Sequence, residues 1–135
     1  MEKYWNERVF IGVGSNVGKR ELFIKKALDL IRNNRQMRLV KISSIIETEP
    51  VGSSKRKFLN AVIEIRTILS PVQLLKRLKY FEKILGRKNT GHWGAREIDL
   101  DILYFGKRKI NTSSLRVPHP FIQERDFVQI LLSEF

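Results

Sequence analysis

The 135-residue chain has no cysteine. That absence removes disulfide scaffolds, cysteine nucleophiles, thiolate zinc sites and iron–sulfur clusters together. Long apolar runs are missing as well. No segment approaches the roughly 18 apolar residues of a membrane span, and the opening MEKYWNERVF has no uninterrupted apolar signal core. The expectation is a soluble, unexported, cytoplasmic protein without a membrane partner, and a reducing compartment is compatible with the missing cysteine. Acidic residues are scarce, 14 Asp and Glu against 26 Lys and Arg, so the net charge is +12. This balance favours anionic partners, whether nucleic acid, acidic membrane or phosphorylated small molecules, without choosing among them.

Several motifs are also absent. GVGSNVGKR, Gly12 to Arg20, is no P-loop, which would need glycine at Val13 and Ser or Thr at Arg20. Nor is it a dinucleotide fingerprint, whose third glycine would stand at Val17. It reads instead as a strand end and turn whose glycines permit close backbone approach. The chain holds no G-x-S-x-G elbow, no H-E-x-x-H pair, no repeat and no low-complexity tract.

What is present reads as one compact domain, residues 1–135, long enough to bury an ordinary core and expected to act as a monomer. RVFIGV, Arg8 to Val13, is apolar on both parities, the pattern of a central strand. From Lys19 to Asn33, Phe23, Ile24, Ala27, Leu28 and Ile31 follow helical spacing. Leu39 to Glu47 and Lys57 to Arg66 read as strands, the latter with Leu59, Ala61, Ile63 and Ile65 on one face. Ser70, Pro71 and Gln73 form a capping box ahead of the stripe Leu74, Leu78, Phe81 and Leu85, and Gly86 supplies the stop. Asp99 to Phe105 makes a fourth strand, and the tail beyond Val117 is loop plus a short helix at Arg125 to Ser133. The order β-α-β-β-α-β is the ferredoxin-like α+β arrangement, a mostly antiparallel sheet with helices on one face and the other face open to ligands. The small polar loops Gly52 to Arg56 and Arg87 to Gly91 read as mobile lids.

The last strand carries an oddity. Glu97, Asp99 and Asp101 share one parity in EIDLDILYF, opposite Ile98, Leu100, Ile102 and Tyr104. Residues two apart on a strand lie about 6.5 Å apart at Cα, so Asp99 and Asp101 can converge on one cation or a close pair. Hard oxygen ligands suit Mg²⁺, completed by water and substrate phosphates. The bland alternative is a solvated face with chance acids. Arg87, Arg96, His119 and Arg125 supply cations near this strand in sequence, although a lone surface arginine is usually only solvated. Phe58 and Asn60 share the second face of their strand with Val62. That pair would suit a flat heterocycle, by stacking and in-plane hydrogen bonding, or would equally be a core aromatic beside an edge amide. Trp93, in a glycine-flanked loop, closes over a site or anchors the loop.

These stretches resemble a known family, 6-hydroxymethyl-7,8-dihydropterin pyrophosphokinase of the folate pathway. The resemblance runs through FIGVGSN, ETEPVG, FLNAV, FEKILGR, HWGAREIDLDIL and VPHPFIQERDFV, and the W-G-x-R-x-x-D-x-D segment is its most specific part. It implies transfer of pyrophosphate from ATP to the hydroxymethyl group of the reduced pterin, leaving AMP, with two Mg²⁺ ions. It further implies that Asp99 and Asp101 hold both metals, and that Arg87 and Arg96 bind ATP phosphates, Arg96 exchanging partners as the group transfers. His119 would contact phosphate, Glu82 the nucleotide, and Arg125 would sit near the phosphates. Phe58 and Phe127 would sandwich the pterin, with Asn60 on its ring edge helped by backbone around Thr48 and Val51, and Trp93 would belong to a closing loop. Glu97 has no matching role, and Lys79 stands where some members carry glutamine.

Two rivals remain at this level. An RNA-binding module shares the strand order and the basic charge, but the K/R-G-F/Y-G/A-F-V-x-F/Y string is missing and D-x-D would repel phosphate unless metal were bound. A regulatory domain that binds a small ligand without turnover is the other.

Overall fold

The computed structural model describes residues 7–49, 56–87 and 97–135. Its main sheet uses β1 (Glu7–Ser15), β2 (Met37–Ile42), β3 (Ile46–Thr48), β4 (Phe58–Thr67) and β5 (Asp99–Phe105) in the order β2-β4-β1-β5, with β3 also on β4. Every pairing is antiparallel. Helix α1 (Arg20–Arg32) connects β1 to β2, and α2 (Pro71–Ile84) connects β4 to β5. This is the ferredoxin-like α+β frame. A small hairpin, β6 (Ile110–Asn111) with β7 (Arg116–Val117), and α3 (Asp126–Leu132) follow.

Two helices form one layer. Ile24, Ala27, Leu28 and Ile31 of α1 and Leu74, Leu78 and Phe81 of α2 are buried against Val9, Ile11, Leu59, Ile63, Ile65, Leu100 and Ile102 of the sheet. The start of α2 is fixed by its capping box: the Gln73 N–H donates to Ser70 Oγ at 3.2 Å, and the Ser70 N–H donates to Gln73 Oε1 at 2.9 Å. At its far end Gly86 has φ +86°, the left-handed turn that glycine adopts freely.

Helix α3, outside that frame, lies on the opposite face, where Val128 and Leu131 pack with Val62, Leu103 and Ile122 and with Phe10 and Tyr104. Tyr104 therefore changes sides relative to the simple alternation. Phe10 pairs with Tyr104 but the next residue, Ile11, pairs with Ile102, so Leu103 is an extra residue in β5. This bulge keeps Asp99, Asp101 and Leu103 on one face and moves Tyr104 onto it, while Phe105 turns into the main core. The strand expected over Leu39 to Glu47 is also two strands. Ser43 Oγ accepts the Val62 N–H at 2.8 Å and donates to the Ser44 carbonyl at 2.9 Å, so a side chain stands in for ladder backbone where the strand breaks.

Candidate active site

The register of β1 against its neighbours builds the site in two rows. Gly14 lies between Asn60 and Asp99, and Gly12 between Val62 and Asp101. Glycine leaves the middle strand bare, so a floor of backbone separates the carboxylates of β5 from the amide of β4. The fit is close at one of them: a methyl on Gly14 would lie 2.8 Å from Asn60 Oδ1.

The cavity over this floor measures about 350 Å³. Thr48, Phe58, Asn60, Arg87, Asp99, Asp101, His119, Arg125 and Phe127 all line it. Nine expected site residues from five parts of the chain thus meet in one place. On the β4 side, Asn60 Nδ2 donates to Thr48 Oγ1 at 2.7 Å, which fixes the amide's orientation beside Phe58. On the β5 side, Arg87 Nη1 reaches Asp99 Oδ1 at 3.3 Å and Glu82 Oε1 at 2.8 Å.

Glu82 lies behind the cavity wall instead of on it. Its side chain is 3% exposed, and Oε2 accepts the Leu100 N–H at 2.8 Å, between the two aspartates. The carboxylate thus grips both Arg87 and the strand that carries the acids. Lys79 Nζ stands 3.6 Å from the same group and lines the cavity itself.

The roof comes from the segment after β7. The His119 N–H donates to the Leu103 carbonyl at 2.9 Å, docking this segment on the bulge of β5, and the Val117–Pro118 bond is cis. The Phe121 N–H donates to His119 Nδ1 at 3.2 Å, and the Arg125 guanidinium lies 5.0 Å from the Phe121 ring centre. Burial lowers the pKa of His119 below 6.5, the positive Arg125 lowers it further, and Asp99 opposes both. The imidazole is consequently neutral at pH 7. With Nδ1 accepting, its proton sits on Nε2.

Val51, Trp93 and Arg96 lie outside the described residues, as does most of both loops read as lids. The sequence alone marks Gly12 and Gly14 only as points of close approach and does not single out Leu103 or Phe121, which also line the cavity. The parity of Leu103 with Asp101 was a usable signal; Phe121 had none beyond its place in VPHPF.

Fold and site define an α+β protein whose ferredoxin-like sheet carries a cavity beside α3, cationic and acidic at one side, aromatic and amide-lined at the other. A family model described as 7,8-dihydro-6-hydroxymethylpterin-pyrophosphokinase matches residues 10–135, and the chain belongs to that family. Among curated relatives, the 2-amino-4-hydroxy-6-hydroxymethyldihydropteridine pyrophosphokinase of Bacillus subtilis is 42% identical over 130 residues, 96% of this chain and 78% of the relative. The enzyme of the same name from Aquifex aeolicus is 42% identical over 120 residues, 88% and 74% of the two chains. A mitochondrial folate synthesis bifunctional protein from Pisum sativum is 41% identical over 130 residues, 96% of this chain but 25% of that longer protein.

Proposed function

We propose that the chain transfers the pyrophosphoryl group of ATP to the hydroxymethyl group of 6-hydroxymethyl-7,8-dihydropterin in folate biosynthesis, with AMP as the second product. The observation that carries this reading is the pair of rows on the sheet, which set Asp99 and Asp101 across a bare glycine floor from Asn60, with Thr48 and Phe58 beside that amide. That spacing offers a flat heterocycle and a polyphosphate adjoining places.

In the reaction the pterin hydroxyl oxygen forms a bond to the β-phosphorus. The bond from that phosphorus to the α,β-bridging oxygen breaks, AMP leaves with the oxygen, and the hydroxyl proton passes to water. Catalysis of this kind is chiefly positioning and charge stabilisation. Phe58 and Phe127 present ring faces to the pterin, and Asn60, oriented by Thr48, meets its polar edge. Neutral His119 donates from Nε2 to a phosphate oxygen, and Arg125 adds a positive charge beside it. Glu82 acts indirectly, holding Arg87 and the Leu100 amide in place.

Asp99 and Asp101 fit Mg²⁺: two hard carboxylates on one strand face, with open space above Gly12 and Gly14 for phosphate oxygens and water. Two ions held there would neutralise charge on the triphosphate. A cation held by Asp99 would compete with its contact to Arg87, whose guanidinium would then be available to the phosphates. Arg96, Val51 and Trp93 take the phosphate, pterin and loop-closing roles that the family resemblance implies. The RNA-platform alternative fits less well, because α3 covers part of the sheet face and acids line the open part.

The test is AMP formation from ATP with and without the pterin and Mg²⁺. We expect AMP only with both, and its loss in Asp99→Ala and Asp101→Ala. Pterin-independent turnover, or full activity in either variant, would reject the reading.

A further inference from the structure

Helix α1 opens on a cation. Arg20 is its first residue, behind an N-cap, Lys19, whose side chain makes no capping hydrogen bond. A positive charge at this end of a helix opposes the dipole. The position gains a bridge in exchange. Arg20 Nη1 donates to the Lys57 carbonyl at 2.8 Å and lies 3.0 Å from Glu47 Oε2. Lys57 Nζ adds contacts to Glu47 at 4.0 Å and Glu49 at 3.5 Å.

The two residues that Arg20 ties together immediately precede Thr48 and Phe58, which are register partners and both line the cavity. Thr48 in turn orients Asn60. Strand β3 is only three residues long and its described pairing is with β4 alone, so few ladder bonds hold Thr48 in position. One guanidinium nitrogen spanning a β3 side chain and the backbone carbonyl just ahead of β4 supplies a further tie.

Resting on the pyrophosphokinase reading above, we infer that Arg20 is a positioning residue for the pterin half of the cavity. Its bridge sets the separation of β3 and β4 at which Thr48, Phe58 and Asn60 grip the heterocycle. The phosphate half is held by different contacts, those of Glu82 with Arg87 and Leu100. Glu47 is 46% exposed, so the ion pair contributes little to global stability. Loss of Arg20 is therefore felt in the site more than in the melting temperature.

The experiment measures separate KM values for pterin and ATP, together with Tm, for the unmodified chain and for Arg20→Ala, Arg20→Lys and Glu47→Gln. For Arg20→Ala the pterin KM rises about tenfold while the ATP KM stays within about twofold, the pattern of lost binding on one side only. Arg20→Lys keeps a charged donor nitrogen but on a shorter stem without the planar head that places Nη1 between its two partners, and falls between. Glu47→Gln also falls between, since the bond to the Lys57 carbonyl survives. A pterin KM within about twofold of the unmodified value, or an equal rise in both KM values, overturns the inference. Should Arg20→Ala not fold, Arg20→Lys and Glu47→Gln decide by the same split. An unmodified chain without pterin-dependent AMP formation fails earlier and differently: it rejects the pyrophosphokinase reading and this inference with it.

Discussion

Gly14 sets how closely Asn60 can approach the cavity floor. With a methyl there, 2.8 Å from Oδ1, the amide must move, and moving it breaks the 2.7 Å bond to Thr48. Gly14→Ala should raise the pterin KM about tenfold, the cost of a misplaced, half-buried hydrogen bond, with the ATP KM little changed. Steady-state kinetics with each substrate varied in turn checks this. His119 gives a second residue-scale prediction. Its folded pKa lies below 6.5, so the unfolded chain binds the extra proton first as pH falls. The associated stability is present above about pH 6.5 and is lost as pH drops through the lowered folded value. Metal-free protein should melt progressively lower below pH 6.5, and His119→Gln should show a shallower fall in thermal melts across pH 5 to 8. The acids were legible from parity alone, because a carboxylate facing neither core nor turn breaks the strand pattern. The place of Glu82 was not: it shares a helix face with Leu78 and Phe81, and only the fold shows that its partners are Arg87 and a β5 amide.

Among the elements, α2 was the most completely readable. Its capping box, N1 proline and glycine stop are local chemistry, and the structure contains all three. Ser70→Ala removes one cap bond and should cost about 1 kcal/mol. For a chain of this size that lowers Tm by roughly 3–5 °C, while kcat stays unchanged because the cap is far along the helix from Glu82; differential scanning calorimetry with a parallel activity assay measures both. Strand β5 was read with its observed bounds, yet its bulge was hidden. Ile102 and Leu103 are both apolar and both buried, so nothing in the residue types marks where alternation slips. The break between β2 and β3 was equally silent, because it depends on Ser43 meeting Val62 from a strand 19 residues away. Helix α3 was seen, but its face was not, since its buried Val128 and Leu131 show only which side is apolar and not which side of the sheet receives it.

For the whole molecule the net charge of +12 becomes a statement about association. ATP is a polyanion and the pterin is not. Raising ionic strength from about 0.05 to 0.3 M should increase the ATP KM severalfold and leave the pterin KM nearly constant, as screening shortens the reach of the basic surface. Both substrates titrated at fixed Mg²⁺ across a salt series provide the check. The charge pointed to an anion from the outset but could not say which; the cavity, with its acidic strand and amide slot on one sheet face, narrows the choice. The decisive measurement is ³¹P NMR of the products formed from ATP, Mg²⁺ and 6-hydroxymethyl-7,8-dihydropterin. The proposed chemistry predicts AMP together with a pterin carrying two mutually coupled phosphorus nuclei. ADP with a pterin monophosphate, or ADP with free phosphate, would contradict it.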